Sequence, residues 1–181
     1  MTTRPHPTTK QLLDQFNTEP DYSDASQDDA EALSRDRIPV RSLNAADFDA
    51  VVRIDRHSSG QDRSAYYRRK FDEALGESGV RVSVVAEQDG IVAGFLMARV
   101  DFGEFGRAAT AAVIDTIGVD PAASGKHVGR ALVSQLLANL TSLHVESVRT
   151  EVEWNRFDLL RFLDRCGFRP GQQLSLSRPL V

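Results

Sequence analysis

A chain of 181 residues that is 41% hydrophobic and 27% charged has the size and composition of one globular domain with a tail. Its formal net charge of -4 argues against a nucleic-acid-binding surface, and no apolar run approaches the ~20 residues of a membrane helix. The lone cysteine, Cys166, excludes an internal disulfide framework and fits a reducing cytoplasm; the four histidines lack metal-ligand spacing, so no metal is expected.

Residues 1–37 stand apart. They hold eight acids against four bases, which is the whole formal charge, and few apolar side chains. They are expected to form a solvated, largely disordered acidic arm. The opening Met-Thr-Thr-Arg-Pro-His-Pro lacks the apolar core of a signal peptide, so no leader is expected.

The globular part, 38–181, begins with a short edge strand over 39–43, where Pro39 is allowed. Asn44 is a candidate N-cap for a helix that turns Phe48, Val51, Val52 and Ile54 to one side. A polar loop, 57–63, leads to a second helix capped by Ser64, with Tyr67, Phe71, Ala74 and Leu75 as its buried stripe; Gly76 and Gly79 stop it. Strands over 80–87 and 91–101 flank Gln88-Asp89-Gly90, a strong hairpin signal. After a Phe- and Gly-containing loop, 102–106, comes a β-branched strand over 111–119. A helix from 128 to about 141 follows, then a strand over 147–154 that places Glu151 and Glu153 on one face. The chain closes with a helix over 157–166, stopped by Gly167, and a short strand over 173–178.

The stretch from Asp115 to Leu132 carries the chemistry. Asp120 and Pro121 end the strand, because proline cannot donate to a sheet ladder. A turn with Gly125 and Gly129 opens a helix with Val128, Leu132, Val133, Leu136, Leu137 and Leu140 at helical spacing. Unpaired N–H groups and the positive end of the helix dipole make such a turn an anion site. It is no Walker loop, which needs glycine at Asp120 and Ser or Thr at His127. Nor is it a dinucleotide fingerprint, which needs a third glycine.

Ile117-Gly118-Val119-Asp120-Pro121, followed by Ser124-Gly125-Lys126-His127-Val128-Gly129-Arg130, resembles motif A of the GCN5-related N-acetyltransferases (GNAT). Cys166-Gly167-Phe168 matches the ending of the family's last helix, and the resemblance covers roughly 38–170. Two positions depart from the pattern: Ser124 replaces Arg or Gln, and His127 replaces glycine. The resemblance implies an α+β fold with a central mixed, mostly antiparallel sheet and helices on both faces. It implies acetyl-CoA as co-substrate, held by Ile117, Gly118, Val119 and the 124–130 loop, with Asn155 on the cofactor arm. The strands 111–119 and 147–154 would splay apart around that arm, leaving the Val119 N–H as oxyanion donor. The acceptor would be a primary amine, reached through the polar loop and the start of the second helix, where His57, Asp62, Arg63, Tyr66 and Tyr67 lie.

For the base, the ribosomal-protein branch of the family carries a glutamate twelve residues before its catalytic tyrosine, which maps to Glu151; Asp115 is the second choice. The tyrosine position itself holds Leu163, so no general acid is evident there. A catalytically degenerate relative that binds acyl-CoA as a sensor is the competing expectation. The family usually ends in two strands, and 169–181 supplies one, so a homodimer joined through C-terminal segments is expected.

Overall fold

The computed structural model describes residues 37–76, 80–101, 110–171 and 178. All but the last residue of the acidic arm, the 102–106 loop and all but the final residue of the expected 173–178 strand lie outside them. Five strands, β1 (Val40–Ser42), β2 (Val84–Gln88), β3 (Ile91–Asp101), β4 (Ala111–Val119) and β5 (Ser147–Thr150), make one sheet in the order β1-β2-β3-β4-β5. Neighbours from β1 to β4 are antiparallel, and β4 pairs with β5 in parallel. The fold is α+β, with the mostly antiparallel sheet that the motifs imply.

Helices α1 (Phe48–Ser59) and α2 (Ser64–Leu75) cover one face, while α3 (Val128–Ser142) and α4 (Phe157–Arg165) lie toward the other. β3 is nearly all apolar because it is buried on both faces. Its Phe95 and Met97 enter the α1/α2 core, and Leu96 and Ala98 enter the α3 core. Along α3, Val128, Leu132, Leu136 and Leu140 recur every fourth residue and are at most 3% exposed. Each such side chain contributes about 1.5–3 kcal/mol on burial, which fixes α3 and the loop at its start against the sheet. Among the described residues no helix is long and apolar enough to cross a membrane.

Several local signals act as expected. Asp89 and Gly90 both take positive φ, the geometry of a tight hairpin turn. Asn44 accepts from the Ala46 N–H (2.9 Å) and donates its own N–H to Asp47 (2.8 Å), opening a short 3-10 turn that runs into α1. Gly167 takes φ +85° beyond α4, with the Phe168 N–H on the Leu163 carbonyl (3.0 Å) and the Gly167 N–H on that of Asp164 (3.1 Å).

Four boundaries differ from the sequence expectation. β2 begins at Val84 rather than 80, and α1 runs on to Ser59, taking His57 into its last turn. Ser64 is the first residue of α2 rather than its cap; Asp62 accepts its N–H (3.0 Å). β5 stops at Thr150, not 154, and the cause lies in β4.

Candidate active site

β4 does not run regularly against β3. Met97 pairs with Thr116 and Ala98 with Ile114, so Asp115 is an extra residue, a β-bulge. Adjacent side chains of Asp115 and Thr116 consequently both lie toward α2 and α1. Asp115 meets Lys70 and Thr116 meets Tyr67. Beyond the bulge the alternation is reset, and Ile117 and Val119 pack toward the α3 core. Pairing with β5 ends at the same place, at Ile114–Thr150, where the Thr150 hydroxyl donates to the Ile114 carbonyl (3.1 Å). β4 continues for five more residues without that partner.

The open edge has a defined polarity. The Asp120 N–H donates to the Ala93 carbonyl of β3 (2.8 Å). Alternation along an antiparallel strand then turns the N–H and C=O of Gly118 toward β3 as well, and those of Ile117 and Val119 toward the gap. Gly118 is small for a reason of packing: a Cβ there would sit 2.5 Å from the buried Phe95 ring. Its place is against Phe95, and the gap is lined by its two neighbours.

Past β4, Asp120 accepts from the Ala122 N–H (3.0 Å) and starts a 3-10 turn, Pro121–Ala123. The chain then enters α3 through His127 in the left-handed region (φ 64°). Glycine adopts that conformation freely, whereas a side chain there costs roughly 1–2 kcal/mol. The first intrahelical bond runs from the Ala131 N–H to the His127 carbonyl (3.0 Å), so the N–H groups of Val128, Gly129 and Arg130 precede it without intrahelical partners.

These groups face a cleft of about 360 Å³ between the loop, Val119 and α4. Ser124, Gly125, His127, Val128, Gly129 and Arg130 all line it. Lys126 belongs to the same turn, and its N–H is taken by the Ala123 carbonyl (3.3 Å). Among the described residues the Arg130 Nε is buried without a hydrogen-bond partner, and the Arg130 residue lines the cleft. A buried guanidinium N–H left unmet costs on the order of 1–3 kcal/mol. A helix N-terminus and an orphaned cationic donor on one cleft fit a pyrophosphate group. Phe162, Arg165 and Cys166 complete the cleft. Sequence reasoning did not assign Phe162 or Arg165 to it, although their spacing on α4 puts them on one helical face. A Cβ on Gly129 would sit 3.2 Å from two Phe162 ring carbons and 3.6 Å from Val119. Gly129 therefore sets the closeness of α3 and α4.

The other predicted residues fall elsewhere. Asp115 is ion-paired with Arg99 and with Lys70 (3.2 Å), beside a cavity of about 150 Å³ also lined by Glu73, Ser83 and Met97. Burial works to lower the Lys70 pKa, but hydrogen bonds to Glu73 and Asp115 outweigh it and the net shift is upward. Glu151 is solvent-exposed just past the end of β5. In β5, Val148 packs toward the α3 core while Arg149 reaches Asp101 (3.1 Å), so the parity of Glu151 is that of Arg149. Asn155 is exposed in the turn before α4.

In the α1–α2 region the structure unites Arg63 and Tyr67 around a residue that sequence reasoning missed, Asp55, which is 6% exposed. Asp55 accepts from Arg63 Nε (2.9 Å), from a second Arg63 nitrogen, and from the Tyr67 hydroxyl (2.9 Å). Burial alone would raise the Asp55 pKa; the hydrogen bonds from Arg63 and Tyr67 overcome it and hold the carboxyl below the usual aspartate range. Tyr66 stacks edge-on to Tyr67. His57 is exposed, and Asp62 is engaged with Arg56 and the start of α2.

A mixed sheet whose β4 carries a bulge, parts from β5 and runs through a glycine-containing turn into a helix defines a protein of the acyl-CoA N-acyltransferase architecture. The profile described as Acetyltransferase (GNAT) family matches residues 48–168, and the chain belongs to that family. Solved structures share the fold. A transcriptional regulator from Bacillus halodurans C-125 aligns with TM-score 0.68 at 18% identity, over 79% of this chain and 99% of that one. The aminoglycoside N-acetyltransferase AAC(6')-Iy in complex with CoA gives 0.67 at 14%, over 80% and 95%. The ribosomal-protein-S18-alanine N-acetyltransferase from Escherichia coli gives 0.62 at 20%, over 75% and 79%. Comparison with curated protein sequences gives no match.

Proposed function

We propose that this protein transfers the acetyl group of acetyl-CoA to a primary amine, carried by a small molecule or by a protein N-terminus or lysine. The observation that carries the proposal is the cleft at the start of α3, where the orphaned Arg130 Nε and the first N–H groups of the helix meet beside the open edge of β4. The neighbours seen with CoA, and those that acetylate aminoglycosides or a ribosomal protein, support the same class.

Acetyl-CoA supplies an activated acyl carbonyl and a thiolate leaving group. Val128, Gly129 and Arg130 N–H groups, with the Arg130 guanidinium and the charges of Lys126 and Arg165, hold the pyrophosphate. Ser124, Gly125 and His127 shape the loop around it. The outward N–H and C=O groups of Ile117 and the C=O of Val119 take the arm as β4 would take a missing strand, Gly118 keeps that edge tight on β3, and Asn155 meets the arm from the α4 side. The Val119 N–H donates to the carbonyl oxygen as negative charge develops there.

The amine arrives from the α1/α2 face. An alkylammonium, with pKa near ~10.4, must lose one proton before its nitrogen can attack. Glu151, directly or through a water, takes it; Asp115, tied to Lys70 and Arg99, is the second candidate. The nitrogen bonds to the acyl carbon, the C–S bond breaks, the amide nitrogen loses a second proton, and the thiolate regains one. Each turnover thus releases one proton.

Leu163 is buried where the family resemblance places a tyrosine, an observation that favours the second reading, a relative that binds acyl-CoA without turnover. Domain limits follow the same proposal, with the acetyltransferase domain over 38–181 after an acidic arm and a cytoplasmic setting for the single thiol. A homodimer through C-terminal segments is supported by β5, one of the two edge strands of the described sheet, and by exposed Trp154 and Phe157 close after it in the chain. Light scattering on the full chain is expected to give a dimer, and a monomer at micromolar concentration would refute it.

Calorimetric titration with acetyl-CoA tests the cofactor assignment. Binding is expected, with Arg130→Ala weaker by ~10–100-fold, the worth of a charge-assisted hydrogen bond. No heat of binding, or equal affinity in a folded Arg130→Ala variant, would refute it.

A further inference from the structure

Thr116 lies on β4 next to the bulge, at the point where the strand leaves β5, and is half-buried. Its hydroxyl oxygen is 3.4 Å from the Tyr67 hydroxyl, which in turn is 2.9 Å from Asp55 Oδ1. The direction of this chain can be worked out. Asp55 is an ionised carboxylate held by Arg63 and can only accept, so the Tyr67 O–H donates to it. The Tyr67 oxygen is left with its lone pairs, so the Thr116 O–H donates to Tyr67. The half-buried Thr116 Oγ1 then keeps lone pairs with which to accept from a further donor on the α2 side of β4.

We infer that Thr116 is a substrate-binding residue whose Oγ1 accepts one N–H of the acceptor amine, with Tyr67 and Asp55 as the positioning residues that fix its lone pairs. The inference rests on the acetyltransferase reading and adds to it a choice of acceptor chemistry. A neutral primary amine has two N–H groups and one lone pair. If Thr116 engages one N–H and the base side of the gap the other, the lone pair is aimed at the acyl carbon, the orientation that transfer requires. A secondary amine has one N–H and cannot satisfy both, so the arrangement selects primary amines. Tyr67 is 0% exposed and packs edge-on against Phe95 (5.7 Å between ring centroids), so the positioning end of the chain does not move with solvent.

The test is steady-state kinetics at saturating acetyl-CoA. The acceptor is whichever of an N-terminal alanine peptide, a lysine peptide and an aminoglycoside the wild-type chain uses best. Thr116→Val, which keeps the shape and removes the acceptor, is expected to lower kcat/KM for the amine ~10-fold or more while the calorimetric affinity for acetyl-CoA stays at the wild-type value. Thr116→Ser is expected to restore activity to within about threefold, which a packing role for the γ-methyl would not do. Tyr67→Phe, with Thr116 intact, is expected to fall between the two. Wild-type kcat/KM in Thr116→Val, or an equal loss in Thr116→Ser, overturns the inference and leaves the acetyltransferase reading standing. Absence of turnover with all three amines overturns both.

Discussion

Gly129 offers the most instructive perturbation, because two separable effects meet there. Replacement by alanine adds one Cβ, 3.2 Å from the Phe162 ring and 3.6 Å from Val119. The ring must yield by a few tenths of an ångström, and overpacking of that kind costs about 1–3 kcal/mol. Replacement by aspartate adds a carboxylate in the first turn of α3. For the helix alone that charge is favourable by about 0.3–1 kcal/mol, because it meets the positive end of the dipole. For a bound pyrophosphate it is unfavourable: at ~5 Å and an effective dielectric of ~20, two unit charges repel by roughly 3 kcal/mol. Gly129→Asp is therefore expected to melt near Gly129→Ala yet bind CoA at least about tenfold more weakly than Gly129→Ala, a difference of ~1.4 kcal/mol or more. Differential scanning fluorimetry and calorimetric titration on the same preparations measure both. Equal CoA affinity in the two folded variants would show that no anion sits at the start of α3.

Other consequences follow from the same geometry. Glu151→Gln is expected to lower the rate by about 10²–10⁴ at neutral pH, with the deficit shrinking at high pH as the amine deprotonates itself; a crippled Asp115→Asn beside a fully active Glu151→Gln would transfer the role to Asp115. His127→Gly relieves a left-handed side chain at the cost of glycine's greater freedom, and should raise Tm by roughly 1–3 °C in thermal melts; a lower Tm would contradict the strain. Asp47 and Asp55 both lie below the ordinary aspartate value near ~3.9, since Arg41 and Arg63 more than offset the upward pull of burial. Their contribution is therefore present above that value and lost as pH falls through the lowered folded values, so stability should hold above pH ~5 and drop steeply below ~4. Urea titrations at several pH values check it, and Asp55→Asn should flatten the acid limb; an identical limb would exclude Asp55.

Much of the scaffold was legible because its signals are local. The bounds of β4 follow from its β-branched run and from Pro121, and those of α3 from the spacing of Val128, Leu132, Leu136 and Leu140. The turn proposed to hold the cofactor was readable, as a turn, from its glycines and the strand–turn–helix order. The bulge was not, because it depends on how β4 pairs with β3. Asp115-Thr116, two polar residues in succession in an apolar strand, was the available sign, and β5 ends at Thr150, beside that bulge, although the sequence keeps alternating to Trp154. Asp55 was missed for a related reason. A lone acid near the end of an amphipathic helix resembles a surface residue until Arg63 and Tyr67, eight and twelve residues away, are folded onto it. Gly129 was read as part of the cofactor loop, while a Cβ on it would first meet Phe162, on a helix whose placement the sequence does not state.

Amine-dependent release of free thiol from acetyl-CoA tests the central claim most directly. The full-length protein is incubated with acetyl-CoA alone and with each amine, thiol is followed by a colorimetric reagent, and the amine product is identified by mass spectrometry. The site geometry predicts thiol release that depends on a primary amine and matches acetylated product one for one. Tight acetyl-CoA binding with no release above the amine-free rate for any acceptor would contradict the enzyme and leave an acyl-CoA-binding relative of the family.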